Sequence, residues 1–375
     1  MTRIQTFLLT RPLAKVVGLT VLFYLLFTLV ALMWHDWDPF WFVWIGEYFH
    51  DLDPNGRWGY DGQFAYYIAR DGLDATTHMV DPAYRLQRIL LPFIVGLISF
   101  GNTQAIAWNL IGVNLVAIVA TTYLLGYWLQ KQGLSAWYAL MYALYVGTFM
   151  AYSRDLNEPL AYALVAWGMV AWHQKSFGQA VLGFALSGLA KEQALLFPIV
   201  LGVMALLQRD TRAILLLSIT AVPTLLWQTF LWQRLGVLPV SSGSSPGVIP
   251  LHGILSQLTL EPGRFSAFLF VMLPALLLTL WAIYQLWSNW PNLKSETAVW
   301  LLLAHALFVL LLPPDVYDHI MHAGRNATGL ILATLFTLPL FLRPWPRIGL
   351  TLYWIAPTFV WLIPVLRWAP WLSEI

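Results

Sequence analysis

The chain has no cysteine, and only 10% of its 375 residues are charged. The first absence excludes disulfides, thiolate nucleophiles and cysteine-ligated metals, but it leaves the compartment open. The second excludes a soluble enzyme of this size, which would carry about 25% charged residues. A strong charge of one sign is also missing: the formal net charge is +2, so no broad attraction to nucleic acid is expected. There is no tandem repeat and no separate soluble domain, so residues 1–375 read as one integral membrane domain.

What is present is apolar. Hydrophobic residues make up 59% of the chain, and the mean hydropathy is +0.67. Apolar runs of about 20 residues, the length that crosses a hydrocarbon core, recur throughout. The composition predicts an all-α polytopic protein seated in a lipid bilayer. The 21 Trp and 16 Tyr suit many helix ends at the membrane interface. Spans are expected at 16–34, 104–130, 135–152, 159–174, 178–190, 194–208, 213–233, 266–286, 297–313, 328–342 and 348–368. The stretch 178–208 reads either as a re-entering pair or as one long helix. Arg3, Arg11 and Lys15 before an apolar stretch resemble a signal peptide. However, 16–34 is too long for the apolar region of such a peptide and has no small-residue cleavage site, so it is expected to be a retained first helix.

Charge orients these spans. With the N-terminus in the cytoplasm, the inside loops carry Lys131, Lys175, Arg209, Arg212, Lys294, Arg343 and Arg347 against only Asp210 and Glu296. Sixteen of the eighteen acidic residues then fall outside. This predicts eleven spans, a cytoplasmic N-terminus and an extracytoplasmic C-terminus. The compact length and the lack of a eukaryotic retention signal favour a bacterial inner membrane.

The one long polar interval lies between the first span and the second and holds half of the acids. It is expected to form an extracytoplasmic loop over 35–103. The loop would end on an interfacial or re-entrant helix at 89–99, which is too short to cross a bilayer. A second outside loop, 235–266, is turn-rich around Ser241 to Gly247 and could order over a substrate.

Charges left outside, beyond what topology needs, form four clusters on one side of the membrane. The first loop carries Asp36, Asp38, Asp51, Asp53, Asp61, Arg85 and Arg88. Arg154, Asp155 and Glu158 crowd one tight turn, Lys191 and Glu192 interrupt an apolar stretch, and Asp315, Asp318, His319, His322 and Arg325 lie before a late span. Charges near membrane depth cost about 2.5–3.5 kcal/mol each, so they tend to line a wet cavity and mark function. The bland alternative is a structural ion pair between Lys191 and Glu192 or Glu158. Arg88, Lys191 and Arg325 could hold a phosphate, arginine bidentately and lysine as a point charge. Asp61 is the expected reactive carboxylate, although Asp-Gly also favours a plain turn. A reaction that takes a proton from an acceptor and releases a phosphate needs both kinds of group.

His50, Asp51 and Asp53 offer a divalent-metal site, but nothing fixes a further ligand, and Asx turns explain Asp53 to Gly56 equally well. His319 and His322 could ligate zinc, but with no further His or Cys nearby substrate contact or proton handling is preferred for them. Beyond that divalent metal, the sequence points to no cofactor.

At this point the chain resembles the polytopic GT-C glycosyltransferases. Asp61 followed by a Tyr-rich stretch ending Ile68-Ala69-Arg70 resembles the loop motif of that class. Pro82 to Pro92 is similar to the segment before its interfacial helix, Gly183 to Glu192 with Pro198 to its Lys-Glu helix pair, and Gly324-Arg325 to its Gly-Arg motif. One departure is plain: Gly62 stands where the class often has a second acid, so that role would have to come from Asp51, Asp53, Asp155 or Glu158. The resemblance implies inverting transfer of a sugar from a polyprenyl-phosphate donor to a glycan, lipid or protein acceptor outside the cytoplasm. It makes Asp61 the general base. Arg88, Lys191 and Arg325 would stabilise the leaving phosphate, with Arg154 and His322 next in line. Arg85, Asp155, Glu158, Glu192 and His319 would be further substrate contacts. Two other classes remain open. A transporter or flippase of a lipid-linked sugar would be expected to show internal repeats. A non-sugar transferase acting on lipid phosphates would be expected to carry a nucleophile or a metal constellation.

Overall fold

A computed structural model describes residues 3–242, 249–290, 296–340 and 344–367, with backbone alone for 3–11 and 254. Residues 243–247 of the serine-rich turn, and Lys294 and Arg343 of the expected inside loops, lie outside the described residues. The described chain is helical, with no strand beyond a single bridge between Ile45 and Gly59. Among the described residues, five helices are long and apolar enough to cross a membrane: Pro12–Trp34, Thr103–Lys131, Thr211–Leu235, Pro262–Ser288 and Pro344–Arg367. Shorter apolar helices include Phe177–Ala190, Glu192–Gln208, Thr297–Leu310 and Thr328–Leu340. The architecture is that of a helical membrane protein.

Two of the expected spans are built differently from a continuous rod. The stretch 178–208 is two helices, broken where Lys191 takes an extended backbone (φ −158°, ψ 125°). The stretch 135–152 is helical in three pieces, Ala136–Ala139, Leu140–Ala143 and Val146–Ser153. No proline or glycine causes that second break. Its freed carbonyls are instead met by hydroxyls from distant helices: Tyr24 donates to the Ala143 oxygen and Thr358 to the Leu144 oxygen, each at 2.7 Å. A buried carbonyl left unpaired would cost about 1–3 kcal/mol, so these two side chains make the break tolerable.

The first loop is a folded cap rather than a tether. It contains the helices Phe40–Val43, Glu47–His50, Gly62–Asp71, Pro82–Leu86 and Leu90–Ser99. Apolar residues of Gly62–Asp71 recur on one face, and Phe64, Tyr67 and Ile68 pack with Leu86, Leu91 and Val95. The same cluster takes in Ile106 and Leu110 of Thr103–Lys131 and Leu231 of Thr211–Leu235, which seats the cap on two long helices. Burying each such side chain stabilises the cap by about 1.5–3 kcal/mol. Trp227 adds a directional tie, donating from its indole N–H to the Leu86 carbonyl at 2.9 Å. Leu90–Ser99 is ten residues long and leaves Phe93 and Leu97 exposed, the apolar face an interfacial helix requires.

Candidate active site

Asp61 sits at the N-terminus of Gly62–Asp71, but its side chain does not cap that helix. It reaches two arginines instead. Arg85 Nη1 donates to Oδ1 at 2.9 Å, and Arg325 Nη2 lies 2.6 Å from Oδ2. The carboxylate is therefore not a simple turn-former. Burial alone would raise its pKa, but the charges of Arg325 and Arg85 outweigh that and hold the group well below the usual carboxylate range.

Each guanidinium is seated on an aromatic ring. Arg85 lies 4.3 Å from the centroid of Phe64, Arg325 5.2 Å from that of Tyr60, and Arg88 4.4 Å from that of Tyr84. Arg88 forms a two-pronged pair with Glu192, Nε to Oε2 at 2.9 Å and Nη2 to Oε1 at 2.6 Å, and also donates to the Tyr84 hydroxyl. Lys191 pairs with Glu158, and both side chains are only 3% exposed. The extended residue at the helix break thus aims its ammonium at the first turn of Glu158–His173. Of the partners expected for Lys191, the structure selects Glu158; Glu192 turns to Arg88.

These pairs converge. Asp61, Arg85, Arg88, Glu158, Lys191 and Arg325 line one narrow cleft. The cleft shares Asp61, its arginines and Lys191 with a cavity of about 550 Å³. Elsewhere on the cavity wall stand Asp81, Asp318, His322, and the amides Gln87, Gln193, Gln228 and Asn326. His322 Nδ1 is 2.7 Å from Asp318 Oδ1, and its ring stacks on Tyr60 at 5.5 Å.

Gly62 has a structural reason. A Cβ there would lie 2.1 Å from the carbonyl oxygen of Arg154, so no second acid fits beside Asp61. The cleft's other carboxylate is Glu158, four residues beyond that carbonyl.

Other expected residues stand apart. Arg154 is fully buried against Trp41 and Trp44, 4.4 and 4.2 Å from their ring centroids, and donates to the Ser153 carbonyl. Asp155 is fully buried too, and neither side chain lines the cavity. His319 accepts from the Met321 amide and packs its ring on Trp361, away from the cavity. Burial drives its imidazole down to about 4. Asp51 and Asp53 are exposed on the cap, and Asp53 Oδ1 accepts from the Asn55 amide in an Asx turn. Among the described residues no three His, Asp or Glu side chains group as metal ligands, so the His50–Asp51–Asp53 set does not fit a divalent ion.

Sequence reasoning passed over Tyr84, Gln87, Gln228 and Asn326. Tyr84 carried a faint signal, lying four residues before Arg88 on the Pro82 to Arg88 segment. The amides carried none, because three different elements bring them together. In comparisons with known proteins, the chain matches no family model, no curated protein and no solved structure.

Proposed function

We propose that the protein is an inverting glycosyltransferase of the GT-C type. It takes a sugar from a polyprenyl-phosphate donor and places it on an acceptor hydroxyl of a glycan, lipid or protein outside the cytoplasm of a bacterial inner membrane. The observation that carries this is the convergence in one cleft of Asp61 with Arg85, Arg88, Lys191 and Arg325. A carboxylate and a cation set are the two parts the reaction requires. Asp61 accepts the proton of the acceptor hydroxyl as its oxygen attacks the anomeric carbon. The bond from that carbon to the phosphate oxygen breaks, and the phosphate leaves with the electron pair. The cations balance the charge that develops, so no acid is needed to protonate the leaving group. Glu158 and Glu192 hold Lys191 and Arg88 in place. His322, backed by Asp318, faces the same cavity and can contact the sugar or acceptor.

The test is incubation of purified protein with a panel of polyprenyl-phosphate sugars and a set of hydroxyl acceptors. Sugar transfer with release of polyprenyl phosphate supports the proposal. Movement of a lipid-linked sugar across proteoliposomes, with no release of phosphate from any donor, would replace it with transport.

A further inference from the structure

Asp61 fills the space between two guanidinium groups but satisfies little of what they offer. A guanidinium carries five N–H donors. Asp61 takes one nitrogen of each arginine, Nη1 of Arg85 and Nη2 of Arg325. The Nε atoms of both arginines are buried with no hydrogen-bond partner. A buried donor without a partner is costly, so this arrangement has room for more acceptor oxygen than one carboxylate supplies. The cleft itself is cationic: Arg85, Arg88, Lys191 and Arg325 line it with two carboxylates, Asp61 and Glu158, while Glu192 meets Arg88 from the adjoining cavity wall.

The three carboxylates are not equally fixed. Glu192 is held by two hydrogen bonds from one arginine, and Glu158 shares a nearly water-free pair with Lys191. Asp61 receives one contact from each of two arginines, and its side chain is 21% exposed, against 29% for Glu192 and 3% for Glu158. Arg88 already spends its Nε on Glu192, whereas the Nε atoms of Arg85 and Arg325 are unpaired, so Asp61 is the carboxylate that an anion arriving at those two arginines would displace. The rings of Phe64 and Tyr60 keep the guanidiniums in position while their hydrogen-bond partner changes.

We infer that Arg85 and Arg325 form a phosphate site whose resting occupant is the Asp61 carboxylate, and that the phosphate of an incoming ligand takes the arginines from it. This rests on the proposed donor and adds an order to it. The donor binds first, and only then does Asp61 lose its cations and become able to take a proton from an acceptor. A carboxylate held between two arginines is a poor proton acceptor, so Asp61 becomes a base only in the donor-bound protein.

The exchange makes a prediction of unusual sign. Binding of farnesyl phosphate to purified protein in detergent is measured for the wild type, Asp61→Asn, Arg85→Gln and Asp81→Asn, with farnesol and inorganic phosphate as comparison probes. Asp61→Asn removes the internal competitor, so it is expected to bind farnesyl phosphate about tenfold tighter than wild type, the worth of one charge-assisted hydrogen bond. Arg85→Gln is expected to bind about tenfold weaker. Asp81→Asn removes the same charge from the same cavity without releasing an arginine, and is expected to match wild type within about twofold. Equal or weaker binding by folded Asp61→Asn overturns the exchange. So does equal tightening by Asp81→Asn, which would make the effect a general field. Should Asp61→Asn not fold, Arg85→Gln decides, and unchanged affinity there overturns the exchange. Inorganic phosphate binding as tightly as farnesyl phosphate would mark the site as one for free phosphate and remove the lipid ligand. Farnesyl phosphate binding no better than farnesol in every variant would instead overturn the donor itself.

Discussion

Gly147 and Gly324 cross so closely that a Cβ on Gly147 would lie 2.2 Å from the Gly324 carbonyl oxygen. The contact joins Val146–Ser153 to Ile320–Asn326 immediately before Arg325, so it sets where that guanidinium meets Asp61. The two glycines are not equivalent. A Cβ on Gly324 would meet Gly147 at 3.3 Å, a gap that a small shift can open. Gly147→Ala should therefore cost more than Gly324→Ala, about 1–3 kcal/mol against less than that. Thermal unfolding in detergent reads the order. Equal costs would mean that the crossing does not position the two helices.

The Lys191–Glu158 pair gives a second prediction. With both side chains almost fully buried, removing one partner strands the other charge. Lys191→Met or Glu158→Gln alone should destabilise by about 3–5 kcal/mol, and the double variant by much less than the sum. Additive losses in a double-mutant cycle would show that the two groups do not depend on each other.

The paired arginines also fix how Asp61 responds to pH. Its folded-state pKa is depressed, so its contribution to stability is present above the unfolded carboxylate value of about 3.9 and is lost as pH falls through the lower folded value. The difference in unfolding temperature between wild type and Asp61→Asn should stay constant from about pH 5 to pH 9 and shrink only below about pH 4. A difference that already shrinks between about pH 7 and pH 5 would mean that the arginines do not hold the carboxylate ionised.

Much of this was legible in the sequence, and the reasons differ by element. Apolar length gave the long helices, because a membrane span must satisfy its backbone internally. Isolated charges in apolar surroundings pointed to Lys191, Glu192 and Arg325, since nothing but a polar cavity tolerates them there. The break at Tyr145 was not legible. It depends on hydroxyls of Tyr24 and Thr358, more than a hundred residues away on each side. Arg154 was misplaced for a related reason. Its sequence neighbours are charged, but its two indole partners come from the first loop. The meaning of Gly62 also required the fold, because only the approach of the Arg154 carbonyl shows that a side chain is excluded.

In the proposed reaction Asp61 takes the acceptor proton during sugar transfer. Turnover of a lipid-phosphate sugar by wild type beside folded Asp61→Asn tests it most directly, since asparagine keeps the size and cannot accept a proton. Loss of about 10²–10⁴-fold in turnover, with farnesyl phosphate bound more tightly than by wild type, is the predicted result. Equal turnover in both proteins would contradict it, remove Asp61 from the chemistry and turn attention to Glu158, the other carboxylate in the cleft.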